Sequence, residues 1–319
     1  MDRYTIPRLA DPAIIATARL EPDQPAQMYF RKGWSTSDSF ELFGNSGEQR
    51  VALMVKTGLG PQARAKFKGE DASLRAMNVA LEGFAPRSFG WGRMEGDQNE
   101  YFIVTELLEV VMGSPPVGLG RRLSRMHSQP TPIPPSFEAP AFGFSVTTFC
   151  GEIPQDNTWK ASWPQFYVEN RLRPICHIIS TASGRDPELE QQIERVIKDV
   201  VPVLFGRMGH ENISRRSRGR FIGRGEPEHS VEDFVLGPAC FYGHSEYELG
   251  AARVYGFPPV FFEDYHFSTP RSEPIEDWYW RVLLYELYGL IQIPSIGPGY
   301  RDSAMSIMRM LLLKFGTPD

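Results

Sequence analysis

Residues 50–58 read RVALMVKTG, a near-continuous apolar run with one cation, Lys56, close to its end. A run of this composition, closed by a glycine, predicts a strand. Two further runs precede it, QMYFRKGW (27–34) and SFELFG (39–44), the second joined to it by the turn GNSGEQ (44–49). Together they predict an antiparallel sheet. The chain then reads AKFKGEDASLRAMNVALEG (65–83), where Phe67, Leu74, Met77, Val79 and Leu81 form an imperfect helical stripe that Gly83 and Pro86 end. One helix is therefore expected against the sheet. SFGWG (88–92) and the run YFIVTELLEV (101–110) predict another strand leading into a connector.

From about residue 115 the pattern changes to helical segments separated by proline-rich loops such as QPTPIPPSFEAPAFG (129–143). Segments 162–180, 186–205 and 276–293 place apolar residues at i, i+3, i+4 and i+7. No internal repeat is visible. The expected organisation is a sheet-plus-helix lobe over 1–108, a hinge near 106–108, and a larger helical lobe over 109–319.

At 319 residues the chain is long enough for one large domain or two modest ones without a disulfide scaffold. Its three cysteines, Cys150, Cys176 and Cys240, form no CxxC pair, so a reducing, cytoplasmic setting is expected. No secretory leader is expected, since no basic region precedes a long apolar stretch at the start. No run is apolar for long enough to span a bilayer, and SAMSIMRMLLLKFG (303–316) suits a helix buried on one face. A net charge of −5 argues against nucleic acid as a partner. The basic residues are nonetheless uneven: Arg207, Arg215, Arg216, Arg218, Arg220 and Arg224 fall within eighteen positions.

Five separated blocks narrow the reading. They are VALMVKTG with Lys56, KFKGEDASL with Glu70, LGRRLSRMH (119–127) ending in His127, FGFSVTTFCGEIPQDNTWKASW (142–163), and ACFYGHSEYELG (239–250) with Tyr242, Gly243, His244 and Glu246. In this order they resemble the fructosamine and ketosamine kinase family, in particular its fungal branch, from about residue 27 to the C-terminus. The resemblance implies an α+β, two-lobed protein-kinase-like fold. It also implies that Lys56 grips nucleotide phosphates and that Glu70 pairs with it, work that suits a point-charge ammonium. His127, His244, Trp159 and Trp163 are expected to serve the core, the histidines through internal hydrogen bonds.

The chain departs from the family where phosphate is transferred. The family's catalytic loop reads His-Gly-Asp-Leu-Trp-x-Gly-Asn; residues 205–212 here read Phe-Gly-Arg-Met-Gly-His-Glu-Asn, keeping only Gly206 and Asn212. Arg207 replaces the aspartate that takes the acceptor hydroxyl's proton, and a guanidinium that stays protonated cannot take one. Gly209 replaces the tryptophan that resembles a sugar-stacking platform. The metal-binding Asp-Pro-Ala is here Gly237-Pro238-Ala239, so magnesium loses its carboxylate. Glu232 and Asp233 lie just upstream, but a one-residue strand slip that brought either near would flip every side chain. The turn RKGWSTSDSF has a single glycine, Gly33, where phosphate-covering loops have several small residues.

These departures lead to a kinase-fold protein that uses no ATP, metal or other cofactor and acts as a non-phosphorylating enzyme of cyclisation or isomerisation type in secondary metabolism. Its partner would be a largely apolar small molecule bearing an anionic or enolisable group, bound by Lys56 and Arg207 through charge-assisted hydrogen bonds. Arg207, His210, Glu211 and Asp233 are the catalytic candidates, with Glu70 a further acid or base. Lys56, Glu70, Asn212 and Tyr242 are the ligand-binding candidates, and aromatic segments around 241–267 would hold the apolar part. Two other readings stay open: a catalytically silent binding protein, and a surviving ketosamine or small-molecule kinase with a shifted carboxylate.

Overall fold

The computed structural model describes residues 7–31, 37–108, 118–208, 221–225, 232–292 and 299–317, with the backbone alone for 182–183, 221–225 and 232–236. It is an α+β protein that divides into two compact units.

The first unit comprises Met1–Gly113, Val146–Glu152 and Phe221–Cys240. Its centre is a six-stranded antiparallel sheet of β1 (Arg8–Leu9), β2 (Gln27–Phe30), β3 (Asp38–Ser46), β4 (Gln49–Leu59), β5 (Ser88–Arg93) and β6 (Glu100–Glu106), in the order β1-β2-β3-β4-β6-β5. The apolar run at 50–58 is β4, and Lys56 lies opposite Ser39 on β3 and Ile103 on β6. Alternation along β4 sends Leu53 and Val55 into a core with Leu42, Phe102, Val104 and the short helix α1 (Pro12–Ala18), whose Ile14 and Ala18 are buried there. Met54, Lys56 and Gly58 take the other face, where a Cβ at Gly58 would touch Ala63 and Phe67 of α2 (Gly60–Ala80).

Helix α2 starts five residues before the periodicity suggests, because Pro61 at its first turn needs no N–H partner. Phe67, Leu74 and Met77 are its buried stripe, each contributing roughly 2 kcal/mol. The predicted Val79 position points to solvent at 85% exposure. The same unit holds β7 (Thr148–Cys150) and an antiparallel pair of β8 (Phe221–Gly225) with β9 (Glu232–Leu236).

The second unit, Ser114–Ser145, Ile153–Arg220 and Phe241–Asp319, is mainly helical. Its helices are α3 (Leu119–His127), α4 (Trp163–Tyr167), α5 (Arg173–Ser183), α6 (Pro187–Arg195), α7 (Val201–Gly206), α8 (Tyr247–Val254), α9 (Pro259–Ser268), α10 (Trp278–Ile291) and α11 (Gly299–Phe315). The periodic segments 162–180 and 186–205 are each interrupted by a π-turn, Val168–Leu172 and Val196–Val200. Proline is the cause in both. Pro174 and Pro202 lack the N–H that would continue the ladder, and their rings would press on the carbonyls of Asn170 and Lys198 in an α-turn. The wider turn relieves this, with the Arg173 and Val201 N–H groups reaching back to Val168 and Val196. The Asn170 carbonyl accepts instead from the buried Arg171 Nη1 at 2.8 Å.

An aromatic cluster fills this unit. Trp163 is fully buried against Phe166, Tyr167, Phe205, Phe241 and Tyr285, and its Nε1 donates to the Tyr285 hydroxyl at 2.9 Å. The Arg171 guanidinium lies 4.5 Å from the Phe166 ring centre and 4.2 Å from that of Phe241, which offsets part of the cost of burying its charge.

Candidate functional site

In the first unit Lys56 Nζ donates to Glu70 Oε1 at 2.6 Å, with the two side chains 19% and 11% exposed. The sheet fixes the lysine and the helix lying on the same face fixes the glutamate, so the pair is a product of β4 and α2 packing. Partial burial strengthens the attraction relative to a surface pair, and the remaining ammonium hydrogens are available to an anion.

In the second unit α7 ends at Gly206, and Arg207 follows as its cap. Its Nη1 donates to Asp277 Oδ2 at 3.3 Å; the arginine side chain is 55% exposed and the aspartate 7%. The cation at the position of the family's base is therefore already compensated by a carboxylate. His210, Glu211 and Asn212 lie outside the described residues, as do the arginines at 215–220. Asp233 sits within β9 in register with Arg224, four residues ahead of Gly237, and its side chain lies outside the described residues.

Gly237 has a left-handed backbone, φ 56°. It offers no ligand atom beyond the main chain, so the residue at this position does not fit a magnesium ion, which is held beside phosphates by one or two carboxylates. Among the described residues no group of three or more histidine, cysteine, aspartate or glutamate side chains gathers to hold a metal.

Tyr242 pairs with Gly143 through backbone bonds in both directions, Tyr242 N–H to Gly143 O at 2.8 Å and the reverse at 3.0 Å. Its half-buried ring stacks on Trp159 at 5.9 Å with a 15° interplanar angle. Three other rings of 241–267 are committed to the core, Phe241, Phe261 and Tyr265 at no more than 3% exposed, whereas Tyr255 and Phe267 face solvent. The histidines are internal as well. His127 Nδ1 lies 2.9 Å from the Tyr265 hydroxyl, and His244 bridges the Tyr285 hydroxyl (2.8 Å) and Ser272 Oγ (3.0 Å).

Beside His244, Glu246 receives Arg281 Nε at 2.8 Å, Arg281 Nη2 at 3.2 Å and the Ser272 N–H at 2.8 Å. Burial alone would push the Glu246 carboxyl up, but His244, the Arg281 guanidinium and the Ser272 N–H outweigh it and hold the group below the ordinary carboxylate value. This buried ion pair fixes the start of α10 to the segment before α8. Asp277, the partner of Arg207, was not anticipated from sequence; it lies 70 residues further along the chain, and no local pattern marks it.

A sheet carrying a lysine paired to a helix glutamate, together with a mainly helical second unit, defines a protein-kinase-like fold. Residues 36–314 match the fructosamine kinase family, and the chain belongs to it. It is 30% identical over 279 residues to mouse ketosamine-3-kinase, covering 81% of this chain and 87% of the relative. Among solved structures it is similar to a candidate fructosamine-3-kinase from Thermobifida fusca, with a TM-score of 0.72, 21% identity, and coverage of 93% and 97% of the two chains. The aminoglycoside phosphotransferase APH(4)-Ia is also similar in fold, with a TM-score of 0.52, 13% identity and coverage of 89% and 91%.

Proposed function

We propose that this member of the fructosamine kinase family keeps the phosphate-gripping pair of the fold but has lost phosphoryl transfer by the family's aspartate-and-magnesium route. The observation that carries the reading is Arg207. It stands where the family has its proton acceptor, it cannot accept a proton, and its guanidinium is held by Asp277. Gly237 supports the same reading, since a hydrogen atom replaces the metal-binding carboxylate.

The partner is a small molecule. The relatives support this class: one is named for ketosamines, and a thermostable APH(4)-Ia variant was crystallised with ADP and hygromycin B. Lys56 provides the anion contact, and the stacked Trp159–Tyr242 pair offers half-buried aromatic surface in the second unit. A non-phosphorylating rearrangement of an apolar substrate with an anionic or enolisable group, of the kind found in secondary metabolism, is the extension of this reading; its support is the sequence at 207 and 237.

One observation favours a second reading, a working ketosamine kinase. The Lys56–Glu70 contact of 2.6 Å is what an ATP site of this fold requires. Incubation of the purified protein with ATP, magnesium and a fructosamine separates the two. Absence of ketosamine-dependent ADP release is the expected result. Release that disappears in Lys56→Ala would establish the kinase and overturn the proposal.

A further inference from the structure

We propose that Gly69 and Ser73 are positioning residues that latch α2 to two distant segments of its own unit and so hold Glu70 against Lys56 without any ligand. The inference deepens the site above and rests on reading Lys56 and Glu70 as its working pair.

Gln62, Lys66, Gly69 and Ser73 follow one another at helical spacing and so share one face of α2. Every one of them meets 147–152 or Cys240. Gln62 Nε2 donates to Glu152 Oε2 at 3.0 Å, and Lys66 Nζ donates to Glu152 Oε1 at 2.7 Å. At Gly69 the helix comes so close to the strap that a Cβ would fall 2.5 Å from the Thr147 carbonyl oxygen and 3.2 Å from Thr148 Cα. Ser73 is fully buried; its hydroxyl donates to the Gly69 carbonyl at 2.7 Å and accepts the Cys240 N–H at 3.0 Å. One hydroxyl thus closes both a turn of the helix and a contact 167 residues away in sequence.

Glu70 adjoins this face, one residue after Gly69 and three before Ser73. In kinase-like sites the helix that carries the glutamate can move away and separate it from the strand lysine, which switches the site off. Here the close approach at Gly69 and the shared hydrogen bond at Ser73 oppose that motion. Cys240 directly follows Gly237-Pro238-Ala239, so the latch also ties α2 to the turn at the family's metal position. The lysine–glutamate pair is thereby built closed.

The rate at which a water-soluble succinimidyl ester acylates Lys56, read by peptide mass spectrometry on the full chain without nucleotide, tests this. An ammonium engaged by a carboxylate acylates slowly. Ser73→Ala and Gly69→Ala should each raise the rate roughly fivefold, the shift expected from one lost buried hydrogen bond or an equivalent clash. Glu70→Gln should raise it at least as far, and Val79→Ala, on the exposed side, should leave it unchanged. Should a buried variant fail to fold, Lys66→Glu, which opposes the half-exposed Glu152 with a like charge, should raise the rate about twofold. The exchange Lys66→Glu with Glu152→Lys should then restore it. A faster rate in Glu70→Gln with no change in Gly69→Ala, Ser73→Ala or Lys66→Glu overturns the latch and leaves the pair standing. No change in Glu70→Gln overturns the pair itself.

Discussion

Arg207 and Asp277 form an ion pair in which the acid is buried and the base half exposed. The asymmetry sets the energetics: removing the arginine leaves a carboxylate with little access to water, whereas removing the acid leaves a guanidinium that solvent can reach. Arg207→Ala should therefore cost about 1–3 kcal/mol in urea unfolding. Asp277→Asn should cost less, and the double variant should recover part of the loss. Additive single effects would show that the two side chains do not interact in solution.

Restoring the family's aspartate by itself should fail. Arg207→Asp sets a second carboxylate beside Asp277 and should destabilise the protein more than Arg207→Asn does. The combination Arg207→Asp, Asp277→Asn and Gly237→Asp removes that repulsion and returns both lost carboxylates. Aspartate tolerates the left-handed backbone at 237 better than most residues. Ketosamine-dependent ADP release should rise about a hundredfold or more over wild type, the usual worth of a positioned base. A stably folded triple variant with wild-type release would place the deficit elsewhere.

Glu246 and Arg281 are both buried, so truncating one leaves the other uncompensated. Arg281→Met should cost about 3–5 kcal/mol by chemical denaturation. The acid response follows from the lowered Glu246 value. A carboxyl held below its ordinary value of 4.5 in the folded protein stabilises it fully above that pH, and the contribution is lost as pH falls through the folded value. Thermal melts from pH 6 to 3 should show a steep acid limb, shallower in Glu246→Gln. Identical limbs would mean that other carboxylates dominate acid unfolding.

Cys176 should resist alkylation. Burial, followed by the nearby Glu194 and Glu190, pushes its thiol up to about 12, and its Sγ donates to the Leu172 carbonyl at 3.0 Å. At pH 8 thiolate is scarce, so iodoacetamide should modify native Cys176 far more slowly than a model thiol. Rapid native labelling would show that α5 opens.

The sheet and α2 are legible in the sequence because their cores leave local patterns, a near-continuous apolar run along β4 and an imperfect helical stripe along 65–83. Lys56 and Glu70 are legible through the family resemblance of their two sequence blocks, and the packing of α2 on β4 brings them together. Helix α1 is absent from the sequence reading, although Asp11 caps the Ala13 N–H and Pro12 opens the first turn, a usable start signal ahead of a short apolar run. What local pattern cannot supply are contacts closed across long separations. The strap at 147–152, the Ser73–Cys240 bond and the Arg207–Asp277 pair are all of this kind. His210, Glu211 and Asn212 fall outside the described residues, so their part in the site stays with the sequence reading.

The two π-turns bear on how this chain is compared with others. Each loops one additional residue into a helix, which turns everything beyond it by about 100° relative to an unbroken α-helix. Apolar positions read across 162–180 or 186–205 with a single period therefore drift out of phase at the midpoint. A related chain lacking the proline would need one residue fewer there to show the core the same side chains. In aligning such chains, a one-residue gap belongs within 168–172 or 196–200, inside the helix, and moving it to a flanking loop would misassign half a helix of buried positions.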